Sequence, residues 1–163
     1  MIYYLGIRFN HKTKKSLDYL RTKNDLHSFR IPNLNYHTTI MHSTTPFRLL
    51  FPGLPSNPIG KAKEVKLFGQ ALVVTYESDF CQGLHKMSIL DGGTWSQKSF
   101  IPHITFAEDI IAINLQDIKF TPFPICIQEI FYREWPERRP KSGLNYWGWP
   151  DRKLKTQSEE LET

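Results

Sequence analysis

The sequence predicts an α+β fold built in two lobes. Three observations carry that expectation. Segments rich in β-branched and aromatic residues recur along the chain. Only two stretches, 12–26 and 79–90, read as helices. A Pro/Gly-rich stretch, PGLPSNPIG at 52–60, reads as a loop or as the connection between lobes, because strand-like composition resumes after it. At 163 residues the chain suffices for one compact domain, expected over 1–150, followed by a polar, mobile tail at 151–163.

Residues 2–9, IYYLGIRF, read as a first strand. The N-terminus is apolar but short, with no basic flank and no small-residue cleavage site, so a signal peptide is not expected and a cytoplasmic protein is. No apolar run approaches bilayer length, so no membrane partner is expected. In 12–26, Leu17 and Leu20 form an i, i+3 stripe beside Lys14, Lys15 and Arg21, with Thr13 or a neighbour as the cap. Pro32 closes the loop into NYHTTIMHS, 35–43, a strand that Thr44-Thr45-Pro46 ends. Residues 62–68 and 70–77 read as paired strands turning near Gly69. DGGTW at 91–95 is a turn, and IPHITFAED at 101–109 is a strand whose start Pro102 restricts. PICIQEIFY, 124–132, reads as one strand, with Ile125, Ile127 and Glu129 on one face and Cys126, Gln128 and Ile130 on the other. No tandem repeat is evident.

The formal net charge is +5, and the tail contributes −1 of it, leaving +6 on the body. That suits a polyanionic ligand such as RNA, a nucleotide or a phosphate ester, or a solvated basic surface. Two cysteines, Cys81 and Cys126, make no disulfide framework. Gly60-Lys61-Ala62 lacks phosphate-loop spacing, no Gly-x-Ser-x-Gly elbow occurs, and no Asp-x-Asp is present for magnesium. Cys81 and His85 have no second ligand pair near in sequence, so no metal and no cofactor is expected.

The histidines carry the chemistry. His37-Thr38-Thr39-Ile40 returns 66 residues later as His103-Ile104-Thr105-Phe106. In a strand, residues i and i+2 share a face, so each motif presents an imidazole and a hydroxyl together. The chain holds two other His-x-Thr triplets. His11 sits among lysines at a helix start, and His42, an odd five positions after His37, faces away from it in a regular strand. A lone strand histidine is more often structural; a matched pair in matched contexts is not. Two imidazoles suit the cleavage of a phosphodiester beside a ribose 2′-OH. One takes a proton from the attacking oxygen, the other gives one to the leaving oxygen, and hydroxyls stabilise the charge on the non-bridging oxygens.

These paired motifs resemble those of the two-histidine phosphoesterase superfamily, whose signature is two His-x-Thr/Ser motifs on strands of a bilobal α+β fold. The resemblance spans most of 1–150. It implies antiparallel sheets around a central cleft with helices outside, His37 and His103 as the acid/base pair, and Thr39 and Thr105 as phosphate ligands. Members cleave 2′,3′-cyclic phosphates, 2′,5′-oligoadenylates or other nucleotide phosphodiesters.

A narrower resemblance rests on the small size, the aromatic content of 13% and the segment Glu129-Ile-Phe-Tyr-Arg-Glu-Trp135. It is to the phage-encoded anti-CBASS nucleases, which degrade the cyclic oligonucleotide second messengers of bacterial antiviral signalling. It implies a cyclic oligonucleotide substrate, and an N-terminal Tyr, a late Glu and a Trp six residues beyond that hold the bases; no obligate protein partner is inferred. Tyr4 or Tyr3, Glu129 and Trp135 match these. A further family Trp between the motifs has no counterpart at its expected place; Phe68 or Trp95 could substitute. The same superfamily leaves open a 2′,3′-cyclic phosphodiesterase or a 2′,5′-oligoadenylate-degrading enzyme, and the residues alone also leave open a non-catalytic RNA- or nucleotide-binding protein.

The aromatics divide. Phe106, Phe131 and Tyr132 read as core, whereas Trp135, beside Arg133, Pro136, Arg138 and Arg139, is less readily core. NYWGWP at 145–150 reads as a closing segment or lid. Glu129, in an otherwise apolar strand, needs a partner: a base amino or imino group, or an internal Arg or Lys.

Overall fold

The computed structural model describes residues 1–48 and 53–136, together with the backbone of 152–153. The NYWGWP segment, Arg138, Arg139 and the rest of the tail lie outside the described residues. The elements in chain order are β1 (Ile2–Phe9), α1 (His11–Lys23), β2 (His37–Ser43), β3 (Gly60–Phe68), β4 (Ala71–Glu77), α2 (Asp79–Leu90), β5 (His103–Ala107), β6 (Pro124–Ile125), β7 (Ile127–Trp135) and β8 (Arg152–Lys153). They form two four-stranded sheets, β2-β1-β7-β8 and β5-β4-β3-β6, and every pairing is antiparallel.

The helices start where side chains can satisfy their first N–H groups. Asn10, not Thr13, caps α1 by accepting from the Thr13 amide at 3.1 Å. Thr13 is fully buried instead. Its hydroxyl accepts from the Cys126 amide at 2.9 Å and reaches the Pro124 carbonyl at 3.3 Å. The helix stops at Lys23 rather than 26, because Asn24 caps it and Asp25 turns to φ 55°. Arg21, in the last turn, donates to the carbonyls of Phe106 and Phe29 at 2.5 and 2.6 Å and so ties α1 to β5. Ser78 caps α2 by accepting from the Cys81 amide.

The stretch 124–132 is not one strand. β6 pairs with β3 in one sheet and β7 with β1 in the other, so the chain changes sheets at Cys126. The residues beside Cys126 therefore belong to different sheets, and the alternation expected across 125–130 does not hold. The crossing is pinned to the start of α1: the Cys126 carbonyl accepts from the Asn10 amide at 2.9 Å while its amide goes to Thr13. Leu5, Ile7 and Ile130 of one sheet share a buried cluster with Leu72, Val74 and Ile104 of the other. Full burial of one such side chain contributes about 1.5–3 kcal/mol.

Gly6 is required by packing. A Cβ there would stand 2.5 Å from Phe131 Cζ, and Phe131 is fully buried. Gly6→Ala should cost about 1–3 kcal/mol by overpacking, read as a lower denaturant midpoint at unchanged m-value.

Candidate active site

Register puts the site residues on one face of the first sheet. Paired residues of neighbouring strands share a face. Arg8 of β1 pairs with His37 on β2 and Glu129 on β7, Gly6 pairs with Thr39 and Phe131, and Tyr4 pairs with His42 and Arg133. His37, Thr39, Arg8, Glu129, Tyr4 and Arg133 therefore crowd one surface. Tyr3, on the opposite face, packs against the larger core, so Tyr4 is the tyrosine of the motif face.

The second sheet supplies the other motif. On β5, His103 pairs with Thr75 and Thr105 with Val73, while Ile104 and Phe106 point into the core. The two motifs meet through the middle residue of the first. Thr38, fully buried, donates its hydroxyl to the His103 carbonyl at 2.9 Å and lies 2.7 Å from the Tyr76 hydroxyl. Thr38→Val should cost about 1–3 kcal/mol, because Tyr76 and the carbonyl lose a buried partner. Thermal melts against Thr38→Ser, which keeps the hydroxyl, check this.

Both imidazoles are held in the same way. His37 Nδ1 lies 2.8 Å from the Asn35 carbonyl, and His103 Nδ1 lies 2.8 Å from the Ile101 carbonyl. A carbonyl only accepts, so each Nδ1 carries the proton and each Nε2 is left with its lone pair. Asn35, at φ 63°, supplies the bend that brings its carbonyl to the ring. The bond has the same i−2 spacing in both motifs.

The electrostatics differ between the two. Burial pushes His37 down to about 4, with Arg8, His103 and Arg133 adding positive charge around it against the help of the Asn35 carbonyl. His103 is also lowered by burial, with the Ile101 carbonyl opposing. Both rings are therefore mostly neutral near pH 7.

All of the other expected site residues except Thr105 have partners within the protein. Thr39 Oγ1 lies 2.5 Å from the Tyr4 hydroxyl, and the Thr105 hydroxyl has no hydrogen-bond partner among the described residues. The Glu129 carboxylate meets Arg8 Nη1 at 2.9 Å, so an internal arginine is one partner it has. Arg8 also lies over the Phe131 ring, 4.2 Å from its centroid. Tyr4 and Trp135 are buried at 4% and 3% exposure in a small cluster with Ile2, Leu34 and Phe131. Trp135 thus packs as core, its ring 5.3 Å from that of Tyr4. Phe68 and Trp95, the two candidates for the missing aromatic, both line a cavity of about 530 Å³ with Thr39 and His103, and Phe68 lies edge-on to His103 at 4.9 Å.

Three residues of this surface, and Thr38 buried behind it, are not singled out as site residues by the sequence. Arg8 had one signal, a cation inside an otherwise apolar strand. Arg133 reads in the sequence only as a charged neighbour of Trp135. Thr38 had none, being the residue between two motif positions. His42 is masked by its odd offset from His37. The pairing between β1 and β2 shifts between Leu5 and Gly6: Gly6 pairs with Thr39 but Leu5 with Met41, which leaves Ile40 as a bulge. One extra residue restores the parity, and His42 returns to the face of His37.

Comparison with known proteins bears on the family and the fold. The family model of the anti-CBASS protein Acb1 matches residues 2–137. The anti-CBASS protein Acb1 of Acinetobacter phage Ac42 is 27% identical over 131 residues, 76% of this chain and 84% of that protein. Among solved structures, TT0787 of Thermus thermophilus superposes with a TM-score of 0.54 at 13% identity, covering 86% of this chain and 91% of that one. E. coli LigT complexed with 3′-AMP gives 0.51 at 15% identity, covering 84% and 90%. The fold is that of the two-histidine phosphoesterases, with two antiparallel sheets and two helices. Within that fold, the match over nearly all of 2–137 decides the narrower assignment: the chain belongs to the anti-CBASS Acb1 family.

Proposed function

We propose that the protein is a metal-independent phosphodiesterase that cleaves 3′,5′ linkages of cyclic oligonucleotide second messengers, made by a phage and acting in the host cytoplasm to evade CBASS immunity. The observation that carries it is the matched pair of imidazoles, each with Nδ1 on a carbonyl and Nε2 without a partner among the described residues. Membership of a family named for its action against CBASS selects the substrate class.

In the proposed reaction, the ribose 2′-OH attacks phosphorus. His37 Nε2 takes its proton, because the cations Arg8 and Arg133 favour the neutral ring. His103, protonated, gives its Nε2 proton to the departing 5′-oxygen. The products are a 2′,3′-cyclic phosphate end and a 5′-hydroxyl, and water then opens the ring with the roles reversed. Thr39 and Thr105 donate to the non-bridging oxygens as charge builds there. Tyr4 orients the Thr39 hydroxyl from below, and Arg8 and Arg133 supply positive field. Glu129 holds Arg8, and Trp135 supports Tyr4 from within the core.

The test is cleavage in EDTA of a 3′,3′-cyclic dinucleotide, a cyclic trinucleotide, 2′,5′-oligoadenylate and a 2′,3′-cyclic mononucleotide. Turnover of the first two supports the proposal. Turnover of only the last two replaces it with the superfamily's other activities, and binding without turnover replaces it with a sequestering protein. The active form has one neutral and one protonated histidine. The expected kcat/KM profile therefore peaks between about pH 4 and the lowered value of His103, below the ordinary 6.5. It falls about tenfold per unit above that. A profile flat from pH 6 to 8 would exclude this acid/base pair.

A further inference from the structure

His42 stands apart from the other histidines of this region. His37, His103 and His85 each have Nδ1 on a backbone carbonyl at 2.8 Å. The His42 ring has no hydrogen-bond partner among the described residues, and it is exposed. It nevertheless has a defined place. Its centroid lies 6.3 Å from Tyr4 and 6.2 Å from Trp135, edge-on to both buried rings.

The bulge that turns His42 onto this face is itself secured. The carbonyl of Ile40, the bulged residue, accepts from His85 Nδ1 at 2.8 Å, across from α2. His85 is in turn stacked on Phe100 at 4.2 Å and lies edge-on to Trp95 at 4.7 Å. His42, Trp95 and Phe100 line the same cavity as Thr39 and His103. One structure thus fixes the strand irregularity, the aromatic wall and the third imidazole.

His42 is too far along the strand to serve the phosphorus that His37 serves. Their partners on β1, Tyr4 and Arg8, are four residues apart, about 13 Å at 3.3 Å per residue. The cavity that His42 lines reaches from His103 and Thr39 along the face to His42, so a ligand bound at the His-x-Thr motifs can extend to it. An N–H donor without a partner among the described residues, held at the wall of a cavity that Thr39 and His103 also line, makes a site for an anion.

We propose that His42 binds the second, non-scissile phosphodiester of the substrate, donating a ring N–H to a non-bridging oxygen, and so selects substrates that carry two phosphodiesters. The inference rests on the phosphodiesterase reading and deepens it. The test compares a 3′,3′-cyclic dinucleotide with a 3′,5′-linked dinucleoside monophosphate, which keeps two nucleosides and the 2′-OH but has one phosphate. His42→Ala should lower kcat/KM for the cyclic dinucleotide by about tenfold to a hundredfold, the scale of one hydrogen bond to a charged group. The loss on the monophosphate should be at least tenfold smaller. His42→Gln, which keeps an N–H donor, should recover most of the selectivity, and His42→Phe, which keeps only a ring, should not.

Equal losses on both substrates, or full activity in His42→Phe, would overturn the inference and leave the phosphodiesterase reading intact. Failure of the wild type to cleave either substrate would overturn both.

Discussion

His103→Ala, offered a phosphodiester whose bridging 5′-oxygen is replaced by sulfur, is expected to recover most of the cleavage it loses on the all-oxygen substrate, while His37→Ala recovers none. On the ordinary substrate each variant should lose about 10²–10⁴-fold in kcat, the usual contribution of a positioned acid or base. A thiolate leaves without a proton, so sulfur makes the general acid dispensable and leaves the base essential. The experiment thereby assigns roles, which a pH profile does not: either assignment needs one neutral and one protonated ring and gives the same bell. Recovery in His37→Ala instead would reverse the roles. The double variant should be little worse than the worse single one, because the two rings act in one step.

The second large effect is on stability. The folded-state value of His37, about 4, lies below the ordinary 6.5 of an unfolded chain. Between those values the unfolded state binds more protons than the native state, so stability rises with pH across this window. His37's contribution is fully present above about 6.5 and is lost as pH falls toward 4. His103, also lowered, adds a loss of the same sign. For His37 the loss is no more than about 3 kcal/mol, less for the part of the ring that solvent screens. Urea unfolding of wild type and His37→Gln at pH 7, 5.5 and 4 measures it. The curves should converge as pH falls, since glutamine has no proton to gain. Parallel curves would mean that His37 is not held neutral by its surroundings.

Local pattern made a large part of this molecule legible. The strand at 2–9, the hairpin around Gly69 and the helix at 79–90 follow from residue type and turn chemistry within each segment. So does the placement of His37 and His103 on strands. What escaped depends on pairing between distant segments. The His42 face follows from a bulge that exists only because β2 pairs with β1, and His85 secures it from α2. The break at Cys126 follows from two sheets competing for one apolar run, with Thr13 and Asn10 deciding the point of transfer. Which group meets Glu129 stayed open because Arg8, one partner it has, is 121 positions away along the chain. Trp135 reads as less readily core because its sequence neighbours are charged, yet its ring packs against Tyr4 from the far end of the chain.

The carbonyl bonds behind the two imidazoles bear on how readily each gives up a proton. In a hydrolytic triad, a buried carboxylate stands behind the histidine and stabilises the imidazolium once it forms. Here a peptide dipole stands in that place on both sides, and burial lowers His103, the proposed acid. A dipole fixes the tautomer and aim of the ring without making the imidazolium comfortable. The protonated ring is therefore a stronger acid than a triad histidine. That matches the demand of the proposed step, in which the departing oxygen is an alkoxide, a strong base that leaves only when a proton reaches it early.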